Sequence, residues 1–113
     1  SYSGVYQVTT KDNHTILAAS FADINSINKG KILKIDADLN INWEKTLQIG
    51  LATACTGVTE CPDGNYLITG VCFVADKSVN QPFACKMDKN GDKKTAKTSC
   101  DAILFFLFIN IFY

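Results

Sequence analysis

The chain contains two copies of one pattern, about 51 residues apart, and this repeat limits the fold more than any other feature. In each copy a turn leads into an apolar run, a polar loop, a Lys-apolar-Asp segment and a second turn. Residues 16–19 align with 67–70, and after a one-residue gap residues 34–36 align with 86–88. A fixed period of this size is typical of a repeat architecture. The alternative is chance similarity between two hairpins.

Each copy has room for four short β-strands joined by turns. The predicted strands are 4–10, 15–21, 30–36 and 41–47 in the first copy, and 55–61, 66–74, 82–88 and 93–99 in the second. Gly, Asn and Asp favour tight turns at 11–14, 37–40, 62–65 and 89–92, whereas 22–28 and 75–81 are predicted to be longer exposed loops. The expected fold is all-β, with two four-stranded antiparallel meanders in a single domain of residues 1–101 (repeats about 4–50 and 54–100).

Two motifs in these copies resemble the β-propeller repeats of secreted and cell-surface proteins. The first is a turn and apolar strand, Asp63-Gly64-Asn65-Tyr66 with Gly70. The second is Lys86-Met87-Asp88-Lys89-Asn90-Gly91-Asp92, matched in the other copy by Lys34-Ile35-Asp36 with Trp43. The resemblance covers about residues 4–99 and implies blade-like units and an extracellular or cell-surface location. Thr95 stands where the other copy has Trp43, and Asp12-Asn13 lacks the turn glycine, so the match is partial.

Two blades do not close a ring, because propellers use about four to eight. Three arrangements satisfy this constraint. Further chain completes the ring, copies of the chain assemble, or the two sheets pack as a sandwich.

Charge and motifs argue against several classes of function. Formal net charge is zero, and the 11 basic residues are all Lys, so the guanidinium fork that reads phosphate and guanine is missing. There is no Gly-rich phosphate loop, no serine nucleophile elbow and no Cys-x-x-Cys, and His14 is the only histidine. Acidic segments starting at Asp36 and Asp88 lack the Glu that ends a calcium loop. We therefore predict no enzyme, no metal, no cofactor and no nucleic-acid partner.

Five cysteines, all in the second half, are disulfide candidates in an oxidising compartment: Cys55, Cys61, Cys72, Cys85 and Cys100. A two-residue turn at 63–64 would place Cys55 opposite Cys72, and a tight turn near 78–79 would place Cys72 opposite Cys85. The sequence therefore predicts either Cys55–Cys72 or Cys72–Cys85. Reduced, buried thiols are the competing interpretation.

Asn13-His14-Thr15 is the only N-glycosylation sequon, and it lies in a predicted turn where a glycan would be exposed. Asn13 is therefore a candidate for an N-linked glycan.

Residues 102–113 form an uncharged run that is rich in Phe and Ile. A transmembrane helix needs about 20 apolar residues, so this run is too short for a stable span. Its composition favours a β-strand, buried either in its own domain or in a neighbouring copy by strand addition. The candidate self-association residues are Ile103, Leu104, Phe105, Phe106, Leu107, Phe108, Ile109, Ile111 and Phe112.

These observations predict a non-catalytic extracellular structural or adhesive protein that binds copies of itself, in a fibre if the C-terminal strand is exchanged. The alternative is a ligand-binding or carbohydrate-binding propeller module that is a fragment of a larger protein. In that case Trp43 is the candidate side chain for stacking on a sugar, although an inter-sheet core position is the simpler interpretation.

Overall fold

A computed structural model of the chain describes residues 2–74, 79–98 and 103–104, with the backbone alone for residues 2, 3 and 79. Eight strands form two four-stranded antiparallel sheets with strand orders β1-β2-β3-β4 and β5-β6-β7-β8. The strands are β1 (Tyr2–Thr9), β2 (Thr15–Ala22), β3 (Asn28–Ile35), β4 (Ile41–Leu47), β5 (Ala52–Glu60), β6 (Tyr66–Val74), β7 (Val79–Met87) and β8 (Lys93–Lys97). The all-β prediction and the two four-stranded meanders are confirmed.

The five hairpins whose turns the structure describes are closed by the same five-residue turn, and in most of these turns the first side chain binds backbone amides. In the β3–β4 turn the amides of Asp38 and Asn40 donate to Asp36 Oδ1, at 3.0 and 2.9 Å. Asp23 and Asp88 do the same in the β2–β3 and β7–β8 turns. The fourth residue of each turn has a positive φ, from 61° at Ser26 to 85° at Gly64.

This shared turn corrects one prediction. A long exposed loop was expected over 22–28, but the structure has a tight turn over 23–27 that closes with Asp23 N–H donating to the Ile27 carbonyl at 2.9 Å. The Asp23 carboxylate also binds two amides of the turn, and the strands on either side reach Ala22 and Asn28.

The two sheets pack face to face around one apolar core. The first sheet contributes Ile16, Ala18, Ile32 and Leu47, and the second contributes Cys55, Tyr66, Ile68, Cys72, Phe83, Cys85 and Met87, with Ile49 between the sheets. Of the second sheet, β5 runs closest to β1, β2 and β3, and Lys11 N–H, after β1, donates to Glu60 Oε1 of β5 at 2.9 Å. At the other side Trp43 Nε1 of β4 donates to the Lys89 carbonyl before β8, also at 2.9 Å. The sheets therefore stack in the same orientation.

The predicted cysteine register was wrong. The five-residue turn at 61–65 pairs Glu60 with Tyr66, and the ladder shifts by one residue between Cys55 and Gly57. As a result Cys55 lies opposite Gly70 and Cys72 lies opposite Thr53. Across β6 and β7, Cys85 lies opposite Ile68, because Val74 pairs with Val79. Neither predicted cross-strand cysteine pair forms.

The strand predicted for 102–113 is also wrong where the structure describes it. Ile103 and Leu104 have helical backbone. The Ile103 side chain is 8% exposed and packs with Cys61, Leu67 and Ala84 on the second sheet of its own chain. The other candidate self-association residues, 105–112, lie outside the described residues.

Gly70 in the middle of β6 is expected to be indispensable to this packing. A Cβ atom at this position would lie 2.0 Å from the Ala54 carbonyl oxygen and 2.6 Å from Phe83 Cε2. Gly70→Ala should therefore lower the free energy of unfolding by about 3 kcal/mol, because backbone and a packed ring must both move. Urea unfolding followed by far-UV circular dichroism measures this loss.

Gly57→Ala is the matched control in the neighbouring strand. Its Cβ would meet only Thr69 Oγ1, at 2.9 Å, and that side chain can rotate. We expect a change within about 1 kcal/mol. Equal costs for the two substitutions would contradict the close approach at Gly70.

Candidate functional site

The face of the first sheet that points away from the second sheet carries an apolar depression. It is lined by Val5, Leu17, Ala19 and Leu33, and is called the first-sheet groove below. Val5 is 60% exposed, and Leu17 and Leu33 are half-buried. An apolar surface on a strand face that is open to solvent is a feature of interaction sites.

Charged side chains lie at one side of the groove, on β3 and β4. Lys31 Nζ is 2.8 Å from Glu44 Oε1 and 4.9 Å from the centre of the Phe21 ring. Lys31 faces the same side of the sheet as Leu33, two residues along the strand. The apolar centre and polar border match the usual anatomy of a protein interface.

The opposite outer face, on the second sheet, is only partly covered. Ile103 lies on Leu67 and Ala84 near the end where β6 begins. Farther along β6, Val71 and Phe73 point to the same side and are 39% and 37% exposed. The stack of two sheets thus has exposed apolar residues at both ends.

The acidic side chains of the turns are occupied by local hydrogen bonds. Backbone N–H donation from Asn40 lowers the pKa of Asp36, and donation from Asp92 lowers the pKa of Asp88. The Lys86 ammonium, 2.5 Å from Asp63 Oδ2, lowers the pKa of that carboxyl. Among the described residues no group of three or more His, Cys, Asp or Glu side chains is placed to hold a metal ion.

Trp43 lies between the sheets. Its ring is half-buried against the core, with its centre 6.4 Å from that of Tyr66 and a tilt of 44°. Its Nε1–H donates a hydrogen bond to the Lys89 carbonyl oxygen. Through these two contacts Trp43 links the sheets. Stacking of Trp43 on a sugar stays a prediction.

The sequon lies at the tip of the β1–β2 turn. Asn13 is exposed with a φ of 65°, a conformation that Asn tolerates better than most residues. The neighbouring His14 has its Nδ1 3.1 Å from Asp12 Oδ1. Glycosylation of Asn13 stays a prediction.

Four of the five cysteines, Cys55, Cys61, Cys72 and Cys85, are buried free thiols. Burial raises the pKa of all four, and for Cys55 and Cys85 to about 11. Because the thiolate is the reactive form, these groups are poor nucleophiles at neutral pH. Cys100 lies outside the described residues.

The groove residues were predicted as strand residues but not as a site. The signal for them is the apolar run at residues 16–19, in which neighbouring side chains point to opposite faces of the sheet. Such a run is typical of a strand that is buried on both faces. Among the described residues, only the face of β2 that points to the second sheet is covered.

No protein-family model, no curated protein and no solved structure matches the chain. The resemblance to propeller blades therefore remains an expectation from the motifs. Within the described part of the chain, no helix is long and apolar enough to cross a membrane.

The state of the four buried cysteines can be tested by alkylation. In the folded chain at neutral pH, N-ethylmaleimide should modify Cys55 and Cys85 at least about 100-fold more slowly than an ordinary exposed thiol, because a pKa near 11 leaves little thiolate. In denaturant without reductant all four should react. Peptide mapping by mass spectrometry assigns each site. Cysteines that stay unmodified in denaturant until a reductant is added would instead be in disulfides.

Proposed function

We propose that this chain is a non-catalytic structural protein that acts by binding copies of itself outside the cell. The observation that carries the proposal is the first-sheet groove, with Val5, Leu17 and Leu33 accessible on an otherwise well-packed sheet. The described cysteines and the only histidine also support a non-catalytic role, since the thiols are buried and His14 pairs with Asp12 in an exposed turn.

The groove is a better contact surface than the start of the C-terminal run. Ile103 is already buried on the second sheet of its own chain. We therefore place the contact between copies on the first-sheet groove rather than on an exchanged C-terminal strand. The carbohydrate-binding alternative is less well supported, because the Trp43 ring and N–H are engaged between the sheets.

The expected interaction is weak. Burial of the exposed parts of Val5, Leu17 and Leu33 contributes a few kcal/mol, at about 25 cal/mol per Å² of apolar surface. Loss of translational and rotational freedom opposes association by a comparable amount. Affinity in the micromolar range or weaker suits a protein in which many identical contacts act together.

Use of the Asn13 sequon, which an extracellular protein would meet on the secretory route, is tested by mass. The chain expressed in a eukaryotic secretory system should carry a glycan that peptide-N-glycosidase removes, with the corresponding loss of mass. Asn13→Gln should abolish the mass difference, and Asn25→Gln, in another exposed turn without a sequon, should not. An unchanged mass of the wild-type chain after the enzyme would contradict glycosylation at this site.

Self-association is tested by sedimentation velocity from about 1 μM to about 100 μM, the range in which weak interfaces become populated. We expect the weight-average sedimentation coefficient of the wild-type chain to rise with concentration. Val5→Lys should raise the dissociation constant at least about tenfold, since burying a lysine in the contact is unfavourable.

Ile24→Lys is the matched control for this experiment. Ile24 is 98% exposed in the β2–β3 turn, away from the groove, so the same gain of charge should leave association unchanged. A wild-type chain that is monomeric over the whole concentration range would overturn the proposed function.

A further inference from the structure

We propose that the contact between copies is head to tail, with the first-sheet groove of one copy covered by the outer face of the second sheet of the next copy. This inference rests on the proposed function, and it specifies both partner surfaces. The repeat relates each exposed face to a face that is already covered within the chain.

The groove is the counterpart of a covered surface. With the offsets of 51 and 52 residues that align the two copies, Leu17, Ala19 and Leu33 correspond to Ile68, Gly70 and Cys85. Ile68 and Cys85 are 0% exposed in the core between the sheets, and Gly70 is buried on the same face of β6, beside the Phe83 ring. The fourth groove residue fits as well, since Val5 pairs with Ala19 as Cys55 pairs with Gly70.

The outer face of the second sheet corresponds to the inner face of the first sheet, which covers the second sheet within the chain. Leu67 and Ala84 correspond to Ile16 and Ile32, which are 0% exposed at the interface between the sheets. Val71 corresponds to Ser20, whose hydroxyl accepts the Cys55 N–H across that interface at 2.9 Å. In a head-to-tail pair, Val71 of one copy would therefore meet Val5 of the next.

The direction of stacking makes this contact heterologous. Equivalent ends of the two sheets meet at two points, through the bonds from Lys11 to Glu60 and from Trp43 to Lys89. Each added copy would repeat this step and leave a new groove exposed at the end. Such contacts close into rings or continue as filaments. With four to eight sheets in a closed ring, about two to four copies would complete it.

Ile103 competes for one of the two surfaces. It lies on Leu67 and Ala84, at the place where the next copy would pack. Docking therefore requires Ile103 to move away, and this side chain acts as a cap that limits assembly.

Two blocked variants test the head-to-tail geometry. Val5→Lys blocks the groove, and Val71→Lys blocks the outer face of the second sheet; both side chains are exposed, so folding should be kept. Each variant alone should have a dissociation constant at least about tenfold above that of wild type. An equimolar mixture should form a one-to-one dimer with the wild-type dissociation constant, because one intact groove and one intact outer face remain. Sedimentation velocity on the full-length chain measures all three samples, and circular dichroism verifies folding.

The outcomes separate this inference from the proposed function. A monomeric wild type overturns both. A wild type that associates while the mixture stays monomeric, or while Val71→Lys associates normally, keeps the proposed function and overturns the head-to-tail contact in favour of groove against groove.

The cap is tested by Ile103→Ala, with Leu104→Ala as its control, since Leu104 is 67% exposed. Loss of the cap should lower the dissociation constant at least about threefold, whereas the control should not change it. An unchanged or higher value for a folded Ile103→Ala chain would overturn the role of Ile103.

Discussion

The structure depends on apolar packing between two sheets that are apolar on both faces. Ile16 and Leu17 are adjacent on β2 and point to opposite sides, as do Leu67 and Ile68 on β6. Fully burying one such side chain contributes about 1.5–3 kcal/mol, which favours contact between the apolar faces. One stack of two sheets can cover only one face of each. The other face of each sheet is left for contacts with residues outside the repeat or with other molecules.

Turn chemistry explains why the strand pattern was predictable and the register was not. Asp36 and Asp88 bind the amides of their turns, and these residues are visible in the sequence as strand boundaries. The cysteine pairing depended on finer detail. The predicted pairing assumed a two-residue turn, whereas the 61–65 turn has five residues. In addition, β5 has a bulge at Thr56, which shifts the register by one more residue. Thr56 has no property that marks a bulge, so this shift could not be foreseen.

The site was less predictable than the fold because exposure depends on the partner sheet. Alternation along a strand tells which residues share a face, but which face is covered depends on how the sheets stack. The start of the C-terminal run shows a related limit. Phe and Ile favour strands, yet Ile103 is helical where it packs on Leu67 and Ala84. A tertiary contact here outweighs local preference.

The two ends of the stack are not equivalent, and this asymmetry gives the molecule a direction. Repeat proteins need terminal units that present a polar outer surface, because an uncovered repeat face is an apolar face in water. At the second sheet, Ile103 covers part of that face with a residue from outside the repeat. At the first sheet, no described residue covers Val5, Leu17 and Leu33 in the same way. In the proposed head-to-tail stack, association at the uncapped end would displace the cap of the next copy, so the strength of the Ile103 contact would set how readily the stack extends.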